Sequence, residues 1–274
     1  MSLNTIIATL ISIAMIIGSV LLTTDEPLAF VSLSSFLLVV GCTFAALFTS
    51  YEFKTSMRTI RLLFAAFGRH RDSQSSIKAE IAQIVHWAYV IQKSGLQGLE
   101  SEMDNQLRDE EPFLAYGVDL VVTGYTGTEV KQILTNTVKS KYEKDQILIE
   151  ALKKMGGDAP AFGMLGTIIG LVVMLGNMGA NPAAIGPSMA IALITTFYGI
   201  ICARVIFIPV ASKIGARMDT SLYKHTLQME GLTLLAERKS PRYIQDKINS
   251  FAEISEQFSI DKDIRESFTS AHSD

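Results

Sequence analysis

The chain has 274 residues, of which 49% are hydrophobic and 19% are charged, and its net charge is −3. Soluble domains carry charges at about a quarter of their positions, so this composition argues against a soluble globular protein. The lack of a basic excess argues against a nucleic-acid partner. The two cysteines lie within apolar runs, so no disulfide framework is predicted.

Four apolar stretches are long enough to cross a bilayer as helices, which takes about 20 residues each. In chain order they are residues 5–23, 28–51, 159–178 and 187–208. Residues 24–27 connect the first pair, and residues 179–182 connect the second pair. The sequence therefore predicts an all-α membrane protein with four transmembrane helices arranged as two hairpins.

The distribution of lysine and arginine predicts the orientation of these spans. None of the 24 precedes Lys54, and none lies in either short connection. All of them lie in residues 54–154 or from Arg204 onward. Because positively charged loops stay in the cytoplasm, both regions and both termini are expected there, with the two connections facing outward.

The predicted organisation has four segments: a transmembrane hairpin over 1–51, a cytoplasmic helical domain over 52–157, a second hairpin over 158–208 and a cytoplasmic helical tail over 209–274. We expect a helix over about 77–94 in the cytoplasmic domain and a second short helix in the tail, beginning at Pro241.

Two local patterns predict helix starts. Thr126 and Glu129 have the spacing of a capping box, in which each side chain satisfies the other residue's backbone N–H. The helix that follows is expected to run almost to the third span. Asp158 and Pro160 are expected to mark the start of that span, because Asp can cap a helix and Pro suits its first turn.

The third and fourth spans combine small residues with a long stretch that lacks acidic and basic side chains. Gly166 and Gly170 allow close approach of another helix, within one chain or between copies. From Ala159 to Ala203 there is no Asp, Glu, Lys, Arg or His. Since ion relays in membranes use such groups, the chain either moves no ion or takes the ionisable group from a partner.

Three mid-span threonines could offer oxygen atoms to a hard cation: Thr167, Thr195 and Thr196. The competing interpretation is that each hydroxyl donates to a carbonyl of its own helix. The sequence contains no Walker loop, HExxH, CxxC or nucleophile-elbow motif, so no enzymatic activity is predicted.

Four segments resemble the MotA/PomA family of flagellar stator A subunits, in the family's order, and the sodium-type PomA branch fits best. They are APAFGMLGTIIGLVVML at 159–175, AIGPSMAIALITTFYG at 184–199, LLVVG at 37–41 and SPRYI at 240–244. The paired-span motif is specific, and the other two segments support it.

The resemblance implies a homopentameric ring in the bacterial inner membrane, with lipid around it. The ring would surround a single-span B-type partner, similar to MotB or PomB, whose membrane Asp supplies the missing carboxylate. Ion flow along the hairpin over 158–208 would rotate the ring. The domain over 52–157 would face the flagellar rotor and its FliG-like protein and generate torque.

Residue by residue, the resemblance assigns Pro160 and Pro187 to the family's two functional prolines and Thr196 to its general hydroxyl position. Thr167 and Thr195 match positions that are typically threonine in sodium-driven members. The implied transported cation is therefore Na⁺, with H⁺ as the alternative, and no cofactor is implied.

The resemblance also assigns rotor contacts to Lys93, Glu100 and, more loosely, Glu102. Gln92 stands where the family usually has arginine, which weakens this assignment. The competing interpretation of the segment is a solvated helix face.

Two other functions are compatible with parts of the sequence. The ExbB/TolQ class of energy transducers, which power outer-membrane transport or envelope processes, shares the small-residue spans. Such chains typically have three spans and lack the Ser-Pro-Arg segment. A scaffold that merely oligomerises is permitted by the neutral spans, but the threonine pattern argues against it.

Overall fold

The computed structural model describes residues 3–25, 27–66, 77–102, 108–109, 111–178, 183, 185–251 and 257–259. Every regular element within these residues is helical, which confirms the predicted all-α fold. The predicted connection at 179–182 and the end of the chain lie outside the described residues.

The longer helices are numbered α1 to α8 in chain order. They are α1 (Leu3–Thr23), α2 (Pro27–Ser50), α3 (Phe53–Ala65), α4 (Ile77–Ser101), α5 (Pro112–Thr123), α6 (Gly127–Asn177), α7 (Ile185–Ala236) and α8 (Pro241–Asn249). α2 begins with a 3₁₀ turn, and α2 and α7 each contain a π-helical turn, at Leu37–Gly41 and Cys202–Phe207 respectively.

The chain divides into two compact units. The first, called the span unit, comprises residues 1–72 and 144–217. The second, called the insertion unit, comprises residues 73–143 and 218–274. Both α6 and α7 contribute residues to each unit.

In the described residues, three helices are long and apolar enough to cross a membrane: α2, α6 and α7. The apolar segment Thr9–Thr23 of α1 is shorter. Large apolar side chains of these helices are exposed, among them Leu22 at 92% and Met15 at 72%. In a soluble protein such exposure would be unfavourable, whereas in a bilayer it faces a solvent of the same polarity.

The expected helix start at Asp158 is wrong, because α6 continues through this point to Asn177. The Asp158 side chain does not cap a helix but pairs with Lys154 one turn earlier, at 3.1 Å. Pro160 lies inside the helix. Proline has no N–H to donate, and its ring crowds the backbone carbonyl four residues earlier, which here belongs to Gly156.

The insertion unit has an apolar core built from α4, α5, α7, α8 and the start of α6. Trp87 lies in it at 2% exposure, together with Ile84, Leu134 and Leu232. Close packing extends to Gly231, where a Cβ atom would lie 2.7 Å from Ile84 Cδ1. This unit therefore has the dense interior of a soluble helical domain.

The predicted helix starts in this unit are confirmed. The Thr126 hydroxyl and backbone N–H both donate to Glu129 Oε2, at 2.8 and 2.9 Å. The backbone hydrogen bond from Thr126 is the main reason that the pKa of Glu129 lies below its ordinary value. The second short helix begins at Pro241, as predicted, and Ser240 caps it.

Candidate functional site

Within the span unit, α6 and α7 approach each other closely through small residues. A Cβ atom on Gly163 would lie 3.0 Å from the carbonyl oxygen of Thr195 and 3.1 Å from Cα of Thr196. A Cβ atom on Gly199 would lie 2.6 Å from the carbonyl oxygen of Ala159. Because the neighbouring atoms belong to the backbone, position 199 requires glycine, and a larger residue at position 163 would require the two helices to move apart.

The same contact continues along α6 at intervals of three and four residues. A Cβ atom on Gly166 would lie 2.5 Å from Thr195 Cβ, and one on Gly170 would lie 2.7 Å from Ala192 Cβ. The other side of α6 is exposed and apolar; it includes Met164, Leu165, Ile168, Ile169 and Val172. One face of the helix thus packs on α7, and the other is available to lipid or to other chains.

The three threonine hydroxyls all donate hydrogen bonds to backbone carbonyls. Thr167 donates to Met164 at 2.6 Å and Thr195 to Ala192 at 2.7 Å, each within its own helix. Thr196 instead donates across the helix contact to the carbonyl of Gly163, at 3.2 Å. The own-helix bonding considered from sequence therefore holds for Thr167 and Thr195 and not for Thr196.

The structure brings three of the five predicted ion-path residues to this contact. Thr195 and Thr196 face α6, and Pro160 Cα lies 3.1 Å from the position of a Cβ on Gly199. Thr167 is half-buried beside Gly166. Pro187 is exposed in the first turn of α7, where its missing N–H costs no helical hydrogen bond. Ion conduction at all five positions stays a prediction.

Tyr198 connects α7 to the start of α2, a role that the sequence analysis missed. Its hydroxyl donates to the carbonyl of Phe30 at 2.6 Å and accepts from the backbone N–H of Ser32 at 3.2 Å. The Tyr198 ring also packs edge-on against Phe36, with centroids 6.3 Å apart. A tyrosine inside an apolar span needs a partner for its hydroxyl, and this requirement could have identified it.

The predicted rotor-contact residues lie in the insertion unit, and all three are exposed: Lys93 and Glu100 on α4 and Glu102 directly after it. Gly95, at φ 70°, breaks the helical geometry between Lys93 and Glu100. Glu102 lies 3.5 Å from Nε2 of His86. The side chains are therefore accessible to a partner, although exposure alone is equally typical of a solvated face.

A half-buried ion cluster joins three helices of the insertion unit. Lys224 Nζ lies 2.7 Å from Glu80 Oε1 and 2.6 Å from Glu111 Oε1. Gln228 donates to the second Glu80 oxygen at 3.2 Å. Burial acts against the charge of Lys224, but its hydrogen bonds to Glu111 and Glu80 outweigh burial, so the pKa of Lys224 is raised.

His225, beside this cluster, is held in the neutral form. Its ring packs on Phe113, with centroids 4.4 Å apart. Burial, followed by the positive charges of Lys141 and Lys224, lowers the pKa of His225 to about 4.

Comparison with known proteins matches residues 105–226 to the model of the MotA/TolQ/ExbB proton channel family. The chemotaxis protein PomA of Vibrio alginolyticus is 31% identical over 222 residues, which are 81% of this chain and 84% of that protein. The chain belongs to the MotA/TolQ/ExbB family. Motility protein A of Borreliella burgdorferi is 34% identical over 218 residues, 80% of this chain and 81% of that protein. The resemblance to MotA and PomA is thereby confirmed.

The family fold is also found in a solved structure. The chain matches a chain of C. jejuni MotAB with a TM-score of 0.82 and 24% identity, over 95% of this chain and 100% of the other. At that identity the match establishes the fold.

Proposed function

We propose that this chain is the ion-conducting A subunit of a flagellar stator. Copies of it form a ring around a single-span B-type partner, and cation influx drives rotation of the ring and torque on the rotor. The chain itself performs no covalent chemistry in this scheme. The cation favoured is Na⁺, with H⁺ as the alternative.

The observation that carries the proposal is the contact between α6 and α7. It contains threonine hydroxyl and backbone carbonyl oxygens but no acidic or basic side chain. From Ala159 to Ala203 there is no acidic or basic side chain that could carry charge at neutral pH. The nearest acid, Asp158, is paired with Lys154. A carboxylate from a partner's span would supply the missing charge, as membrane ion paths require.

The names of the similar proteins support the assembly. One relative is named a chemotaxis protein, others are named motility proteins, and the solved complexes are titled MotAB. A complex of A and B chains is the arrangement that a neutral ion path needs. We extend it to this chain, with five copies of A and with a FliG-like rotor protein as the surface on which torque acts.

The proposal includes four spans with both termini in the cytoplasm. α1 has 21 residues, and at about 1.5 Å per residue its length matches a hydrocarbon core of about 30 Å. Its described side chains are predominantly exposed and apolar. Together with α2, α6 and α7 it completes two hairpins, and the lysine and arginine distribution sets their orientation.

Sodium is favoured because hydroxyl and carbonyl oxygens are the ligands that hard cations prefer. Thr195 is 1% exposed at the helix contact, and Thr196 bonds across it. Moving one charge through 100 mV releases about 2.3 kcal/mol, which is enough to bias a conformational step of that size.

The experiment is complementation of swimming in a bacterium that lacks its own A subunit but supplies the B partner. Wild-type protein should restore swimming that rises with sodium concentration. The double variant Thr167→Ala and Thr195→Ala should need more sodium to reach the same speed. Thr49→Ala is the matched control, because Thr49 also donates to its own helix, at the Ala45 carbonyl, but lies on α2.

Three outcomes contradict the proposal in different ways. No swimming with wild-type protein removes the stator function and favours the ExbB/TolQ class. Swimming that does not respond to sodium removes sodium as the ion. An unchanged sodium response in the double variant removes the threonines from the ion path.

A further inference from the structure

A groove of about 300 Å³ lies in the insertion unit, where three helices meet. Its floor is apolar and consists of Ala88 and Ile91 of α4, Leu235 near the end of α7 and Pro241 at the start of α8. Ala88, Leu235 and Pro241 are buried in the packed core or at its edge. The floor is therefore fixed by the fold and can accept an apolar side chain.

The rim of the groove carries the charge. Arg238 and Lys239 line one side, and the neutral Gln92 of α4 lies on the groove as well. Lys239 pairs with Glu237 at 3.6 Å. Arg238 makes no ion pair or side-chain hydrogen bond with any residue that the structure describes. Among the residues that the structure describes, the positive charge of Arg238 is thus left uncompensated.

The backbone of Arg238 has an unusual conformation. Its φ is 54°, and it is the one non-glycine residue with positive φ in the described part of the chain. The N–H of Arg238 bonds to the carbonyl of Leu235, and that of Lys239 bonds to Leu234, at 3.0 and 3.1 Å. These bonds define a Schellman motif at the end of α7, with Arg238 at the position where glycine is preferred.

A strained residue at an exposed position indicates a role for its side chain. Glycine at position 238 would relieve the strain and lose only the guanidinium, which makes no internal contact among the described residues.

We propose that this groove docks a partner segment that presents an apolar side chain flanked by carboxylates, and that Arg238 is its main charge contact. The apolar floor takes the side chain, and the rim takes the acid. A bare anion would leave the floor empty, so a peptide is the better occupant. Identifying the partner as the rotor rests on the proposed function; the chemistry of the groove does not.

Gln92, on the α4 side of the groove, is neutral. Gln92 and Arg238 line the same space from different helices. The positive charge of this surface comes from the end of α7 in this chain.

The direct test measures binding of a labelled probe peptide to the purified full-length protein by fluorescence anisotropy. The probe is an amphipathic helix with one leucine flanked by glutamates, and its neutral version has glutamine in their place. Wild-type protein should bind the acidic probe about tenfold more tightly than the neutral one, a difference of about 1.4 kcal/mol. Equal binding of the two probes overturns the proposal.

Two variants separate charge from structure. Arg238→Gly should lose the preference for the acidic probe while its melting temperature stays equal to or above that of the wild type. Lys78→Glu, an exposed charge reversal at the start of α4, is the matched control and should bind as the wild type does. Unchanged binding by Arg238→Gly overturns the proposal, and competition by inorganic phosphate alone shows that the site takes a small anion instead.

The same variants test the partner in swimming cells. Arg238→Glu should lower the speed under viscous load severalfold, with an unchanged amount of protein in the membrane, whereas Lys78→Glu should not. If wild-type protein restores no swimming, the proposed function fails while the probe result stands. If Arg238→Glu swims normally although probe binding is lost, the rotor is not the partner.

Discussion

In the insertion unit the helices are held apart by large buried side chains, whereas in the span unit they touch through glycine and threonine. Trp87, Leu134 and Leu232 fill the first interior. In the second, Gly163 and Gly199 bring backbone against backbone. Many large apolar side chains of the spans, such as Met15 and Leu22, are exposed instead of filling an interior.

This contrast follows from the two environments. In water, burying a large side chain is favourable, so the insertion unit places such residues inside. In a bilayer lipid is as apolar as leucine, so nothing drives leucine inward, and close contact between small residues stabilises the helix pair. The two units should therefore respond in opposite ways to the removal and the addition of side-chain volume.

The largest expected effect is that of removing bulk from the insertion unit. Trp87→Ala should lower its free energy of unfolding by about 3–5 kcal/mol, because a large cavity remains. Hydrogen exchange in α4 and α5 should rise steeply, while exchange in α2 stays the same. Tyr89→Ala, at an exposed position on the same helix, should change exchange little. Similar effects of the two variants would show that the insertion unit is not held by its core.

The next effect is that of adding bulk to the span unit. Gly163→Leu should cost about 3 kcal/mol, since the added atoms meet the backbone of Thr195 and Thr196. The readout is the fraction of protein that remains protease-resistant in membranes. Gly176→Leu is the control, because a Cβ atom there meets nothing within 4 Å. If both variants were equally resistant, close backbone contact would not be what holds α6 to α7.

A smaller effect is a loss of stability of the insertion unit in acid, which we expect from its residue His225. The pKa of His225 in the folded protein is about 4, below its ordinary value of 6.5. As pH falls from about 6.5 to 4, the unfolded chain takes up the proton first, so stability is lost in that window. The ring is only half-buried, so the loss should be about 2 kcal/mol.

Thermal unfolding followed by the fluorescence of Trp87, the chain's single tryptophan, measures this loss at several pH values. His225→Asn should flatten the dependence between pH 6.5 and 4. His86→Asn, which replaces an exposed histidine, should keep it. A dependence that survives in His225→Asn would belong to the carboxylates of the unit instead.

The sequence was sufficient to predict the elements that depend on local patterns. Apolar length predicted the long helices, and the capping box at Thr126 and the proline at 241 predicted two helix starts. The small residues of the third and fourth spans correctly predicted a close helix contact. These features depend on residues near one another in the chain, so they can be predicted without knowledge of the tertiary structure.

The features that the sequence did not predict depend on distant residues or on context. The continuous helix through Pro160 contradicts the expected helix start, and the local sequence, with Asp and Pro in cap-like positions, gives no sign of this continuity. The bonds of Tyr198 join residues more than 160 positions apart in the chain. The groove at Arg238 arises from three helices and one unusual backbone angle, none of which has a recognisable pattern in the sequence.

The threonine hydroxyls have a consequence for charge selectivity. Each of the three has already given its only proton to a carbonyl, so its remaining capacity is to accept through lone pairs. A lining of such oxygens presents partial negative charge alone. If these hydroxyls line the ion path, as the proposed function has it, they offer chloride or hydroxide no hydrogen-bond donor and so favour cations without a charged side chain.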